Sequence, residues 1–194
     1  MARLLLFTSR LVLVLTSCLL VSSNGQTCTW QDAAVPVASV DCRHTSSLLT
    51  VQYDTAVTCE QDLSAKNLTS PPAISWSGAH AAETYLLIMV DPDARSPCQP
   101  VSRWVLHWAA FVRGDKSLQI TEEFVSYAGP RPPEGTPAHR YQFFLYRWVP
   151  EIELLRPSFL GNSDTSRARF DFDQFKVVNR LEHLEASFEF LYSR

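Results

Sequence analysis

Apolar positions along this chain fall into short blocks broken by turn residues. Residues 84–90 (TYLLIMV) form a continuous apolar run that Asp91-Pro92 ends, and 104–112 (WVLHWAAFV) form a second. Residues 140–149 (RYQFFLYRWV) form a third. Runs of this length, rich in aromatic and β-branched residues and bounded by Pro, Gly and Asp, predict strands buried on one or both faces. Shorter strands are predicted at 48–53 and at 73–76, the latter following the Pro71-Pro72 turn. Between the last two long blocks, residues 127–137 (YAGPRPPEGTP) hold too much Pro and Gly for regular structure. Near the end the period changes. Asp171 is placed to cap a helix with Gln174 three residues on, and Phe172, Phe175 and Val178 recur at helical spacing as an expected core stripe. The pattern predicts a mainly β, mostly antiparallel domain with a short C-terminal helix.

The first 25 residues stand apart. Arg3 and Arg10 flank or precede an apolar core at 11–21 (LVLVLTSCLLV), and Ser23 and Gly25 are small enough for cleavage before Gln26. That run is shorter than the ~20 apolar residues that span a bilayer. Residues 1–25 are therefore expected to be a signal peptide and 26–194 a single domain, with no transmembrane segment. Without the leader, 15 basic side chains face 20 acidic ones, a net charge of -5. This disfavours nucleic acid or an anionic surface as a non-specific partner. Export also gives the cysteines meaning. Cys28, Cys42, Cys59 and Cys98 remain after cleavage, and two disulfides with three possible pairings are expected. Their spacing contains no CxxC, so no structural zinc is expected. Asn67-Leu68-Thr69 is a glycosylation sequon, expected on an exposed loop.

Unusual polar residues border the apolar blocks. Asp91-Pro92-Asp93-Ala94 follows the first long strand, and His107 interrupts the second. The Pro/Gly loop precedes His139-Arg140-Tyr141, and strand alternation puts His139 and Tyr141 on one face and Arg140 on the other. Asp91 and Asp93 read alone are turn formers, and His107 alone is a core histidine. In order, however, AISW, VDPDA, the strand with an inward histidine, and YxGxxPPxGTxxHRY resemble the phosphatidylethanolamine-binding protein family, its secreted branch in particular. The likeness covers roughly residues 74–148 and continues more weakly to Phe175. The chain departs from the family pattern at Arg95, where proline is usual, and at Arg131, where glycine is common.

The resemblance implies a β-sandwich of antiparallel sheets with a small pocket for phosphate-like anions and phospholipid headgroups. Carried over, the ligand-binding residues are Asp91, His107, Gly129, Pro132, Pro133, His139 and Tyr141. Imidazole N–H groups, backbone amides of a Gly/Pro loop and a tyrosine hydroxyl suit phosphate oxygens. Trp104, Trp108 and Trp148 are expected to pack in the core, Arg140 to form a structural ion pair, and Asp93 to hold its loop through backbone amides. The expected protein is a secreted (extracellular or secretory/lysosomal lumen), non-enzymatic binder with no cofactor, and a role in modulating signalling is an expectation of the same resemblance. Two rivals are a hydrolase with a metal on Asp91, His107 and His139, and an interaction module or protease inhibitor with a vestigial pocket. The first lacks His-x-His or HExxH spacing, and no GxSxG elbow supports a nucleophilic triad.

Overall fold

The computed structural model describes residues 40–149, 151, 153–156 and 167–194. The expected leader and Cys28 lie outside the described residues. The strands are β1 (Thr50–Gln52), β2 (Ala56–Val57), β3 (Ala73–Ser75), β4 (Thr84–Asp91), β5 (Val105–Arg113), β6 (Ser117–Val125), β7 (His139–Trp148) and β8 (Leu184–Tyr192), with a helix α1 (Phe172–Val178) before the last.

They form one eight-stranded sheet in the order β2-β1-β3-β6-β5-β4-β7-β8. Every neighbouring pair is antiparallel. The two ends of the sheet then approach each other. Leu48 and Asp62, which flank the β1–β2 hairpin, make parallel bridges to Ser187 and Leu191 of β8. The amides of Glu60 and Leu63 donate to the carbonyls of Glu189 and Leu191 at 2.8 and 2.9 Å. The expected sandwich is therefore corrected to a single, nearly closed, barrel-like sheet. Hydrogen bonding runs unbroken from β2 to β8, and closure removes the exposed edges that an open sheet carries. Period-2 alternation is the same in both architectures, so the pattern alone does not separate them.

Alternation sorts the side chains into two cores. Tyr85, Leu87 and Met89 of β4 point inward with Trp108, Val112, Phe143, Leu145, Phe188 and Phe190. Leu86, Ile88 and Val90 point outward and meet Leu106, Phe144, Tyr146 and the Phe170, Phe172 and Phe175 rings. Helix α1 thus covers the outer face of the central strands, which explains why β4 and β7 read as continuous apolar runs. Asp171 caps α1 as expected, its side chain accepting from the Gln174 amide at 2.9 Å. The stripe is corrected at one position: Phe172 and Phe175 are buried, but Val178 is 37% exposed, because the seven-residue helix ends there. Trp104, Trp108 and Trp148 are all buried. Cys42 is bonded to Cys59, 17 residues on, and Cys98 is also disulfide-bonded.

Candidate functional site

Three chain segments converge where β4, β5 and β7 begin or end. Asp91 closes β4, His107 lies in β5, and His139 opens β7. The β4–β5 register shifts between Met89 and Val90: Met89 faces Trp108, but Val90 faces Leu106. His107 is the extra residue of this bulge. A bulge frees one side chain from strict alternation and is common beside binding sites. Here it lets His107 meet Tyr141 edge-on, with ring centroids 5.1 Å apart. Tyr141 in turn stacks on Phe190 at 5.4 Å, which fixes the phenol from the other side.

The loop before β7 supplies the remaining wall. The Ala128 amide donates to the His107 carbonyl at 2.9 Å, and His107 Nδ1 bonds the Ala128 carbonyl at 2.8 Å. A carbonyl only accepts, so Nδ1 carries the hydrogen and Nε2 of the neutral ring has a lone pair. Gly129 is required where it stands, because a Cβ there would collide with the Leu68 carbonyl oxygen. Tyr127 fixes the same contact by donating to that oxygen at 3.0 Å. Thr136 donates to the Pro133 carbonyl at 2.8 Å, pinning the loop where it enters β7.

The result is a cavity of about 190 Å³ lined by Asp91, Ala94, Val105, His107, Ala128, Gly129, Arg131, Pro132, Pro133, His139, Tyr141 and Arg167. All seven residues singled out from the sequence line it. Arg131 lines it too, while Arg95 is absent from its wall. Arg167 was not foreseen from the sequence; it reaches the site from 60 residues beyond His107. Its guanidinium donates to the carbonyls of His107 at 3.0 Å and Ser126 at 2.8 Å, strapping β5 to the end of β6. Nothing in its neighbourhood, RARF, sets it apart. Val105 was legible, since it shares a strand with His107 two positions away.

Polar groups here are ordered by one another. Asp91 Oδ1 accepts from the Asp93 amide at 2.7 Å, and Oδ2 accepts from His139 Nδ1 at 2.8 Å. Both carboxylate oxygens therefore already bond protein donors. On the opposite face of β7, Arg140 holds Asp93 through its backbone amide, Nε and a terminal nitrogen, at 2.9, 2.9 and 2.7 Å. Asp93, expected to hold its own loop through backbone amides, accepts instead from the amide of Arg140 in β7, and it also takes the guanidinium. Burial pushes the His107 imidazole below its ordinary value, with the Asp91 charge opposing. Burial, then the Asp91 charge, holds the Tyr141 hydroxyl well above the usual phenol range, so it stays a donor. That hydroxyl is fully buried and has no hydrogen-bond partner among the described residues. The Arg131 backbone amide faces it but lies outside hydrogen-bond geometry.

Asp91, His107 and His139 do not converge as metal ligands. Among the described residues, no three His, Cys, Asp or Glu side chains could hold a metal ion. Among the same residues, no helix is long and apolar enough to cross a membrane.

A barrel-like sheet with a small polar cavity at one end defines a class of ligand-binding proteins, and comparison narrows it. The phosphatidylethanolamine-binding protein family profile matches residues 45–186. The chain is 44% identical over 124 residues to "Protein MOTHER of FT and TFL1 homolog 2" of Oryza sativa subsp. japonica, covering 61% of this chain and 68% of that protein. A carboxypeptidase Y inhibitor, solved in complex with its cognate proteinase, superposes with a TM-score of 0.65 at 20% identity, over 76% of this chain and 83% of its own. The phosphatidylethanolamine-binding protein from Plasmodium vivax does so at 0.60 and 19%, over 88% of this chain and all of its own. At those identities the two structures speak for the fold alone. The chain belongs to the phosphatidylethanolamine-binding protein family.

Proposed function

We propose that this protein is a secreted, non-enzymatic binder of phosphate-like anions, phospholipid headgroups of the phosphoethanolamine type among them. The observation that carries this reading is the Tyr141 hydroxyl: a buried donor, facing a cavity, with nothing to donate to. Leaving such a group unpaired costs about 1–3 kcal/mol, which an acceptor in the cavity recovers. Phosphate suits the rest of the wall. Its oxygens accept from Tyr141, and near neutral pH it carries either a hydrogen to share with a neutral Nε2 or a charge to attract a protonated one. Asp91 does not bar an anion, because both its oxygens already bond protein donors.

Asp91 holds His139 by a 2.8 Å hydrogen bond, which suits a fixed binding wall. The family whose profile the chain matches is described as one of binding proteins. The apolar run at 11–21 and the disulfide-bonded cysteines support export. Asn67 is exposed, as a glycosylation acceptor must be.

The test is calorimetric titration of inorganic phosphate and phosphoethanolamine into the wild-type protein and Tyr141→Phe. Binding to the wild type, weakened about ten- to a hundredfold in the variant, is the expected result for a lost bond to a charged acceptor. No heat with either titrant, or equal affinity for both proteins, overturns the reading.

A further inference from the structure

The turn between β5 and β6 lies at the other end of β5 from the anion cavity. β5 begins with Val105 and His107 in the cavity wall and ends at Arg113. The strand between His107 and Arg113 spans about 20 Å. Gly114, Asp115 and Lys116 then join it to Ser117, the first residue of β6. The tip of the hairpin therefore carries Arg113-Gly114-Asp115, with both charged residues exposed. The fold accounts for the glycine. A Cβ at Gly114 would collide with the Ser117 carbonyl oxygen, so the turn closes only with glycine there. The backbone of the tip is tied down on both sides. The Ser117 amide donates to the Asp115 carbonyl at 2.8 Å, and the Trp76 amide donates to the Lys116 carbonyl at 2.7 Å. The fold gives the two charges much less to do. The Asp115 carboxylate has no partner among the described residues. Arg113 donates through one terminal nitrogen to the Ala82 carbonyl at 3.2 Å, an exposed bond to a neutral acceptor.

We infer that Arg113-Gly114-Asp115 is a recognition tip for a cell-surface adhesion receptor that carries a divalent cation. A hard divalent cation with an open coordination position takes a carboxylate oxygen, which Asp115 offers without breaking a bond of its own. A receptor carboxylate beside that cation takes the Arg113 guanidinium as a forked, charge-assisted pair, stronger than its bond to the Ala82 carbonyl. Glycine as the spacer puts no side chain between the two charges. A tip already held by its own backbone loses little freedom on docking, which favours affinity. The inference goes beyond the anion reading and shares with it only export, because an adhesion receptor faces outward from the cell. The two sites are compatible, since they occupy opposite ends of β5. Asn67, the glycosylation acceptor, stands with Ala128 and Gly129 at the cavity end, so a glycan there is not rooted at the tip.

The experiment is a cell-adhesion assay on wells coated with the purified protein. It uses fibroblasts already shown to spread on a synthetic Arg-Gly-Asp peptide surface, so the receptor class is present. Wild-type protein is expected to hold these cells in the presence of magnesium. Chelation by EDTA and a soluble Gly-Arg-Gly-Asp-Ser-Pro peptide should each release them, whereas Gly-Arg-Gly-Glu-Ser-Pro should not. Asp115→Glu keeps the charge but moves the carboxylate by one methylene, and Arg113→Gln keeps a polar side chain without the charge. Both are expected to reduce adhesion to the level of albumin-coated wells. Both side chains are exposed, and matching thermal unfolding curves confirm that the variants are folded. Absence of adhesion to the wild type overturns the inference and leaves the anion reading intact. Adhesion that survives EDTA, or that folded Asp115→Glu retains in full, overturns it equally. Recovery of the expressed chain only from cell lysate, never from the medium, removes the export that the inference shares with the anion reading and overturns it too, while calorimetry with phosphate still tests the cavity by itself.

Discussion

At the scale of single residues, Tyr141 and His107 carry opposite kinds of cost in the ligand-free protein. Tyr141 hides a hydroxyl with no partner, so removing the oxygen removes a penalty. Tyr141→Phe is expected to raise the stability of the ligand-free protein by about 1 kcal/mol while weakening phosphate. Denaturant unfolding without ligand checks this, and a clear loss of stability would show that the hydroxyl has a structural partner. His107 is held neutral. Burial lowers its folded value below the ordinary one near 6.5. As pH falls through 6.5, the unfolded chain therefore takes up a proton that the folded protein declines, and stability falls on the acid side down to the folded value. A phosphate in the cavity favours the charged ring, so binding is expected to take up protons and strengthen as pH drops below 6.5. The check is melting temperature between pH 7 and pH 5, with and without phosphate. His107→Asn, which keeps a donor for the Ala128 carbonyl, should show a shallower acid-side fall. An identical slope in the two proteins would place the titrating group elsewhere. The residues lining the cavity were legible because they sit in strand ends and one Pro/Gly loop whose order is distinctive. Arg167 was not, because an arginine's role as a carbonyl strap depends on which strands lie opposite it.

Elements were legible to the degree that both their faces are apolar. β4, β5 and β7 bury nearly every side chain, and an uninterrupted apolar run between turn residues announces such a strand. β6 does not: Ser117–Val125 exposes six of its nine residues, and its partner strands, not its composition, make it a strand. β8 alternates, with Ala186, Phe188 and Phe190 inward, yet Glu185 and Glu189 interrupt the apolar signal. Glu189 is buried all the same, because it accepts from Gln142 across the β7–β8 pair at 2.8 Å. The clamp between the turn after β4 and the start of β7 has a consequence at this scale. Arg140→Met strands the Asp93 carboxylate in a fully buried position, and a loss of about 3–5 kcal/mol is expected. Pairing it with Asp93→Leu removes the stranded charge, so the double variant should lose much less than the two single losses combined. Urea midpoints of the four proteins measure the coupling. Additive losses would show that the pair contributes no interaction of its own. This clamp also makes Arg140→Ala a poor control for binding, although its side chain lies on the face away from the cavity.

For the whole molecule, the decisive feature is closure, and it depends on the short segments flanking the β1–β2 hairpin. Those segments meet β8 through few bonds: Leu49 to Ser187, Glu60 to Glu189, and the Gln61 and Leu63 pair with Leu191. The Cys42–Cys59 disulfide spans the hairpin and ties the chain ahead of it to the strand's exit, 17 residues later. Restricting a loop of that length in the unfolded chain is worth about 3 kcal/mol in the entropic account. The bond also acts locally, since it holds both flanks of the hairpin at the seam with β8. Replacing both cysteines with serine is expected to lower global stability by about 3 kcal/mol and to open the seam ahead of global unfolding. Hydrogen exchange separates these effects. The amides of Leu49, Glu60 and Leu63 should exchange much faster in the double variant than the global loss accounts for. The β4 and β7 amides, at the centre of the sheet, should change only by the global amount. Because the seam stands beside the loop that carries Leu68, whose carbonyl seats Gly129 and Tyr127, loosening it should also weaken phosphate binding modestly. Uniform acceleration of all these amides would mean that the disulfide acts on the unfolded chain alone and that the seam closes without it.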